Sequence, residues 1–126
     1  MKIEELNPDN FRRKTISNVL PTVVKFYDFN CPLCSGLASP FRRLAQKYVG
    51  QFRFYKYNIK DNYEFCEKYL DGGVPTLTVF LDTDNPILIN YPEPEDPISG
   101  YSYEYLDKWL RHFLATYNVL KGMNND

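Results

Sequence analysis

The chain has 126 residues, enough for one domain, with 44% hydrophobic and 25% charged residues, a net charge of −1 and a pI near 5.8. That balance gives no support to an electrostatic nucleic-acid binder, and no apolar run reaches the length of a membrane span. Three cysteines, an odd number, argue against a disulfide scaffold and for a functional pair plus one extra thiol.

Met1-Lys2-Ile3-Glu4-Glu5 is acidic and lacks an apolar signal core, so the expectation for the chain as given is a cytoplasmic protein. In Leu6-Asn7-Pro8-Asp9-Asn10-Phe11, Asp9 or Asn10 is placed to cap a short helix through Ile16. Val19 to Phe29 reads as a strand and Pro32 to Val49 as a helix, with Leu37, Phe41, Leu44, Ala45 and Tyr48 at three- and four-residue steps and Gly50 as its stop. Phe52 to Ile59 alternates as a second strand, and Asp61 or Asn62 opens a short helix from Tyr63 to Leu70. Leu77 to Leu81 is a third strand, Asp82 to Pro86 a turn, and Ile87 to Tyr91 the antiparallel return. Pro92 to Pro97 is an acidic, proline-rich loop. Gly100 precedes an amphipathic helix, Tyr103 to Val119, with Leu106, Trp109, Leu110, Phe113, Leu114 and Tyr117 on its apolar side. Residues 1–5 and 121–126 are expected to be frayed ends. Strand, helix, strand implies a parallel pair with a right-handed crossover, and the later return makes the sheet mixed, with helices on both faces.

The chemistry concentrates where the first strand ends, at Phe29-Asn30-Cys31-Pro32-Leu33-Cys34. Two thiols at a helix amino end face free backbone N–H groups and a partial positive charge, which favour a thiolate. Cys31 suits the N-cap and Pro32 the first helical position, where its missing N–H costs nothing. Cys34, one turn in, is expected to be more buried and within reach of a disulfide with Cys31. This is the layout of a dithiol redox site.

With Cys31-Pro32-Leu33-Cys34 after one strand and Gly73-Val74-Pro75-Thr76 before another, the chain resembles the thioredoxin family from about Leu6 to Phe113. Leu6 to Phe11, Gly100 to Tyr103 and Leu106 to Leu110 add a likeness to the catalytic domains of protein disulfide isomerases. The resemblance implies a three-layer α/β/α thioredoxin fold and a thiol–disulfide oxidoreductase without bound cofactor. By position, Cys31 attacks a substrate disulfide and Cys34 resolves the mixed disulfide. It also implies a cis Val74–Pro75 bond, with Asn30, Pro32, Leu33, Gly73, Val74 and Pro75 forming the substrate surface and Asp28 and Phe29 at its rim. The implied partners are disulfide-containing proteins and a thiol reductant or reductase, met by a monomer. The alternatives are an isomerase or oxidase on the same scaffold, or a redox-inactive module that binds proteins.

Four positions depart from the family pattern. Lys25 stands six residues before Cys31, where the family has a buried acid that takes the resolving thiol's proton. Lys56 matches a family lysine near that acid, so Lys25 and Lys56 are like charges in proximity, one of which is expected to become the neutral base. The competing reading has Lys25 snorkelling to water or pairing with Asp28. Asn30 replaces the usual tryptophan, Pro32-Leu33 replaces Gly-Pro, and Pro40 follows Ser39 where the family has its helix proline, shifting the expected kink by one residue. Cys66 reads as a buried structural thiol and His112 as a surface residue. Cys66 and His112 also lack metal-ligand spacing, so no zinc site is expected.

Overall fold

The computed structural model describes residues 2–16, 20–70, 72–80, 86–88 and 102–124. In chain order these form β1 (Glu4–Glu5), α1 (Phe11–Ile16), β2 (Thr22–Tyr27), α2 (Pro32–Lys47), β3 (Arg53–Asn58), α3 (Tyr63–Cys66), β4 (Thr76–Phe80), β5 (Pro86–Leu88) and α4 (Tyr103–Asn124). A single 3₁₀ turn, Glu67–Tyr69, continues α3. The described strands form one mixed sheet in the order β1-β3-β2-β4-β5. β1 and β2 each run parallel to β3, whereas β4 is antiparallel to both β2 and β5.

Period-two alternation in the central strands divides the core into two layers. Val23, Phe52, Leu77 and Val79 face Leu37, Phe41 and Leu44 of α2 and Leu106 and Leu110 of α4. Val24, Phe26, Tyr55 and Tyr57 face Leu6, Phe11 and Cys66. Phe11 is the centre of that second layer: its ring lies 5.0–6.3 Å from those of Phe26, Tyr57, Phe65, Tyr69 and Phe80. Helices therefore cover both faces, in the three layers the sequence implied.

Several boundaries differ from the sequence reading. The α1 entry is organised by Asn7, whose Oδ1 accepts from the Asp9 and Asn10 N–H groups while Asn10 Oδ1 accepts from Asn7 N–H. Helix α2 ends at Lys47, and Gly50 then takes φ +85°, a left-handed turn that a side chain would strain. Pro40 lies inside α2 and withholds one N–H from its ladder. Asp61 turns the chain at φ 67°, and Asn62 makes no side-chain cap. The described parts of the two ends are regular, while residues 1, 125 and 126 lie outside the described residues. Glu4 and Glu5 pair with Tyr55 and Lys56, and Leu6 N–H donates to the Lys56 carbonyl at 2.8 Å. Backbone pairing of this kind leaves no hydrophobic signal. At the other end α4 continues to Asn124, because Leu120-Lys121 holds no helix breaker that would stop it at Val119. The Pro92–Pro97 loop and Gly100 lie outside the described residues.

One buried polar cluster ties α2 to α4. Asp107 accepts from the Lys47 ammonium and the Tyr48 hydroxyl, both at 2.7 Å on Oδ1, and pairs with Arg111 at 3.4 Å. Burial pushes its carboxyl up, but hydrogen bonds from Lys47 and Tyr48 and the cations beside it outweigh that, holding it below the usual carboxylate range. Stability from this group is therefore present above the ordinary carboxylate pKa and is lost as pH falls through the depressed value. Asp107→Asn is expected to lose about 1–3 kcal/mol at pH 7, with the gap closing in acid. Urea unfolding at pH 7 and pH 3 measures it, and an equal difference at both would refute the linkage.

Candidate active site

The carboxyl end of β2 delivers the chain into α2, and the turn between them is built from local bonds. Asp28 Oδ1 accepts from Asn30 N–H at 3.1 Å, and the Asp28 carbonyl accepts from Cys31 N–H at 3.1 Å. Cys31 is the N-cap in extended conformation, with Pro32 as the first helical residue and Leu33 as the second. Cys34 N–H donates to Cys31 Sγ at 3.2 Å, satisfying one of the free amides of the helix start with the sulfur itself. Cys31 is half-buried, whereas Cys34 is 4% exposed. Burial raises the Cys34 thiol well above its ordinary value, with a hydrogen bond to the Cys31 sulfur acting the same way. The pair is therefore asymmetric, one sulfur reachable from outside and one kept protonated within.

The second segment of the site crosses over the first. The Val74–Pro75 peptide bond is cis. The Cys31 thiol donates to the Val74 carbonyl at 3.8 Å, so two segments 43 residues apart meet at the nucleophile. The Gly73 carbonyl accepts from Thr76 Oγ1 at 2.6 Å, and Pro75 and Thr76 are buried. Asn30, Pro32 and Phe29 form the exposed rim, with Phe29 76% exposed and its ring edge-on to Tyr27 at 5.5 Å. The structure thus brings Cys31, Cys34, Asn30, Pro32, Gly73, Val74 and Pro75 to one end of the sheet.

Lys25 and Lys56 lie deeper. They are register partners across β2 and β3, on the same face as Tyr27. Lys25 is 6% exposed, so it does not snorkel, and among the described residues no carboxylate pairs with it. Asp28 turns instead to the Asn30 amide. The Lys25 ammonium sits 5.2 Å from the Phe41 ring centroid and 5.3 Å from that of Tyr27. It lines a cavity of about 240 Å³ together with Cys34, Tyr27, Asp28, Phe29, Ser35, Ala38 and Lys56. Burial, then the Lys56 ammonium, pulls Lys25 below its ordinary pKa, and a Cys34 thiolate pulls the other way.

Sequence reasoning missed Tyr27 and Glu5. The Tyr27 hydroxyl donates to the Glu5 carboxylate, closing one side of the lysine pair. Alternation along β2 (Val23, Lys25, Tyr27) carried the signal for Tyr27. Only the pairing of β1 with β3 reveals Glu5. Cys66 is fully buried beside Tyr57, its thiol pushed up to about 11 by burial, and His112 is exposed. Among the described residues no three His, Cys, Asp or Glu side chains could hold a metal ion, and no helix is long and apolar enough to cross a membrane.

The thioredoxin family model matches residues 2–101. A chloroplastic thioredoxin M4 of Arabidopsis thaliana is 25% identical over 116 residues, covering 91% of this chain and 55% of its own length. The thioredoxin of Porphyra purpurea is 26% identical over 106 residues, covering 84% of this chain and 99% of its own. Among solved structures, the J-Trx1 fragment of ERdj5 superposes with a TM-score of 0.73 at 22% identity, over 90% of this chain and 52% of that one. This chain thus spans about half the length of the first of these relatives and of the solved fragment. The family match over most of the chain and the shared fold agree with a paired-cysteine helix start meeting a cis-proline loop, and the chain belongs to the thioredoxin family.

Proposed function

We propose that this protein is a thiol–disulfide oxidoreductase that reduces disulfides of protein substrates. The observation that carries the reading is the asymmetric pair: Cys31 half-buried at the start of α2, and Cys34 buried one turn behind with its N–H on the Cys31 sulfur. The Cys31 thiolate attacks one sulfur of a substrate disulfide, forming a mixed disulfide and releasing the other sulfur as a thiolate. Cys34 then attacks the Cys31 sulfur. The Cys31–Cys34 disulfide forms, the second substrate thiolate leaves, and the Cys34 proton is taken up within the site. Two electrons have passed to the substrate, and an external dithiol reductant or reductase returns them to the pair.

Lys25 is the acceptor for that proton. A neutral amine in the cavity it shares with Cys34 takes the proton as Cys34 becomes nucleophilic, and passes it to solvent through the same cavity. Lys56 acts through Lys25, since its charge across the strand pair favours the neutral amine. Asn30, Pro32, Leu33, Gly73, Val74 and Pro75 hold an extended substrate segment, with the Val74 backbone pairing in the manner of an added strand. The protein works in a reducing, cytoplasmic setting, a reading supported by an odd cysteine count that argues against a disulfide scaffold.

The reduction potential of the Cys31–Cys34 couple tests the reading, with Cys66 replaced by serine and thiols counted by alkylation and mass across a glutathione series. A reversible two-thiol couple near about −270 mV is expected for a reductase, and one near about −180 to −120 mV would point to an isomerase or oxidant. Absence of any reversible couple would leave a protein-binding module.

A further inference from the structure

Next to the cavity that reaches Cys34 lies a second, of about 410 Å³, which shares Lys25, Lys56 and Ala38 with the first. Its remaining lining is Lys2, Ile3 and Arg42, so four of its six lining residues are cationic and none is acidic. Such a gathering is unfavourable in itself, because like charges repel most where neighbouring protein displaces water. Proteins relieve this by interleaving carboxylates, and here none is interleaved. Among the described residues Lys2, Lys25, Arg42 and Lys56 make no ion pair. Of the nearby acids, Glu4 pairs with Lys14 at 3.6 Å, Glu5 accepts from the Tyr27 hydroxyl, and Asp28, which lines the neighbouring cavity, accepts from the Asn30 N–H at 3.1 Å. Glu5 is the weakest of the influences on Lys25, whereas Lys56 and Arg42 both oppose its charge.

We propose that this cavity is a binding site for a small oxyanion, a phosphate or carboxylate group, held by Lys25 at its floor and by Lys2, Arg42 and Lys56 around its mouth. Three features specify that class. Lys25 is more than nine-tenths buried and, among the described residues, has no hydrogen-bond partner, so its ammonium, facing the cavity, is a donor that an oxyanion completes. Arg42 supplies a planar fork suited to two oxygens, and the lysines supply point charges. Ile3 and Ala38 give the cavity a short apolar side, which suits a compact anion and leaves no aromatic platform for a base. An occupant would hold Lys25 charged and so couple anion level to the chemistry at Cys34 through the lining the two cavities share. The site itself does not depend on whether Lys25 acts as a base.

Inorganic phosphate and succinate, titrated separately into the full chain at ionic strength held constant with sodium chloride, test the proposal by amide chemical shifts. Saturable shifts confined to Ile3, Lys25, Ala38 and Lys56 and their neighbours are expected from at least one of them, and which one saturates identifies the group. Arg42 and Lys2 are exposed and outside the thiol chemistry, so Arg42→Gln and Lys2→Gln keep the fold. Each is expected to weaken binding about tenfold, the loss of a charge-assisted hydrogen bond. Lys25→Met abolishes it. Linear, unsaturable shifts with both anions, or saturation that survives all three substitutions, would overturn the site.

Discussion

With serine in place of Cys31, reduction of a protein disulfide is expected to fall by roughly a thousandfold or more, because a serine hydroxyl at neutral pH cannot match a thiolate as nucleophile. Cys34 does not substitute for it. Cys34 is 4% exposed, and burial keeps its proton on, so it neither reaches an incoming disulfide nor presents a thiolate. The reciprocal variant behaves differently. Cys34→Ser retains the first attack and lacks the second, so it accumulates a mixed disulfide between Cys31 and the substrate, visible as an adduct by non-reducing mass measurement. Activity of Cys31→Ser within about tenfold of the parent, or a Cys34→Ser protein that forms no adduct, would reject the assigned roles.

Lys25→Met is expected to make the protein more stable and a slower catalyst at once. Among the described residues the buried Lys25 head group faces two aromatic rings and the Lys56 ammonium and pairs with no carboxylate, and replacing it with an apolar side chain of similar length is expected to raise stability at pH 7 by about 1–3 kcal/mol. The sign with pH follows from its lowered pKa. Between that lowered value and the ordinary 10.5, the unfolded chain binds a proton the folded one does not, so stability rises with pH across that window. Raised thiols act oppositely: Cys34 and Cys66 contribute stability below their ordinary value of 9.0 that is lost as pH climbs through their raised ones. Lys25→Met removes the first dependence and leaves the second. In catalysis, resolution of the mixed disulfide slows by about a hundredfold, the usual scale for a lost general base, and recovers as hydroxide replaces the amine at high pH. Lys25→Asp restores an acceptor at the same place and is expected to recover much of the rate. Unchanged resolution in a folded Lys25→Met protein would remove Lys25 from the mechanism.

Much of the fold was legible because its signals are local. An apolar run marked β2, alternation marked β3, the three- and four-residue spacing marked α2 and α4, and the order of these elements implied a parallel pair within a mixed sheet. What was missed lacks a local signature. β1 is two glutamates whose only claim to be a strand is the backbone of β3 beside them. The single helix read from Tyr63 to Leu70 is instead a four-residue α3 continued by a 3₁₀ turn, whose tighter winding changes which side chains after Cys66 share its face.

The sequence by itself determined the dithiol: a cysteine pair three apart at a strand-to-helix junction needs only local geometry to place one sulfur at an N-cap and the other one turn inside. It also determined that a lysine occupies the position where the family has an acid. Only the tertiary structure decided what that lysine is. The register of β2 on β3 puts Lys56 directly beside it, β1 brings Glu5 to Tyr27 and not to Lys25, and α2 closes over it with Phe41 and Ala38. Charge, burial and partners of a side chain are set by neighbours distant in the chain, and their balance is a property of packing that no linear pattern encodes.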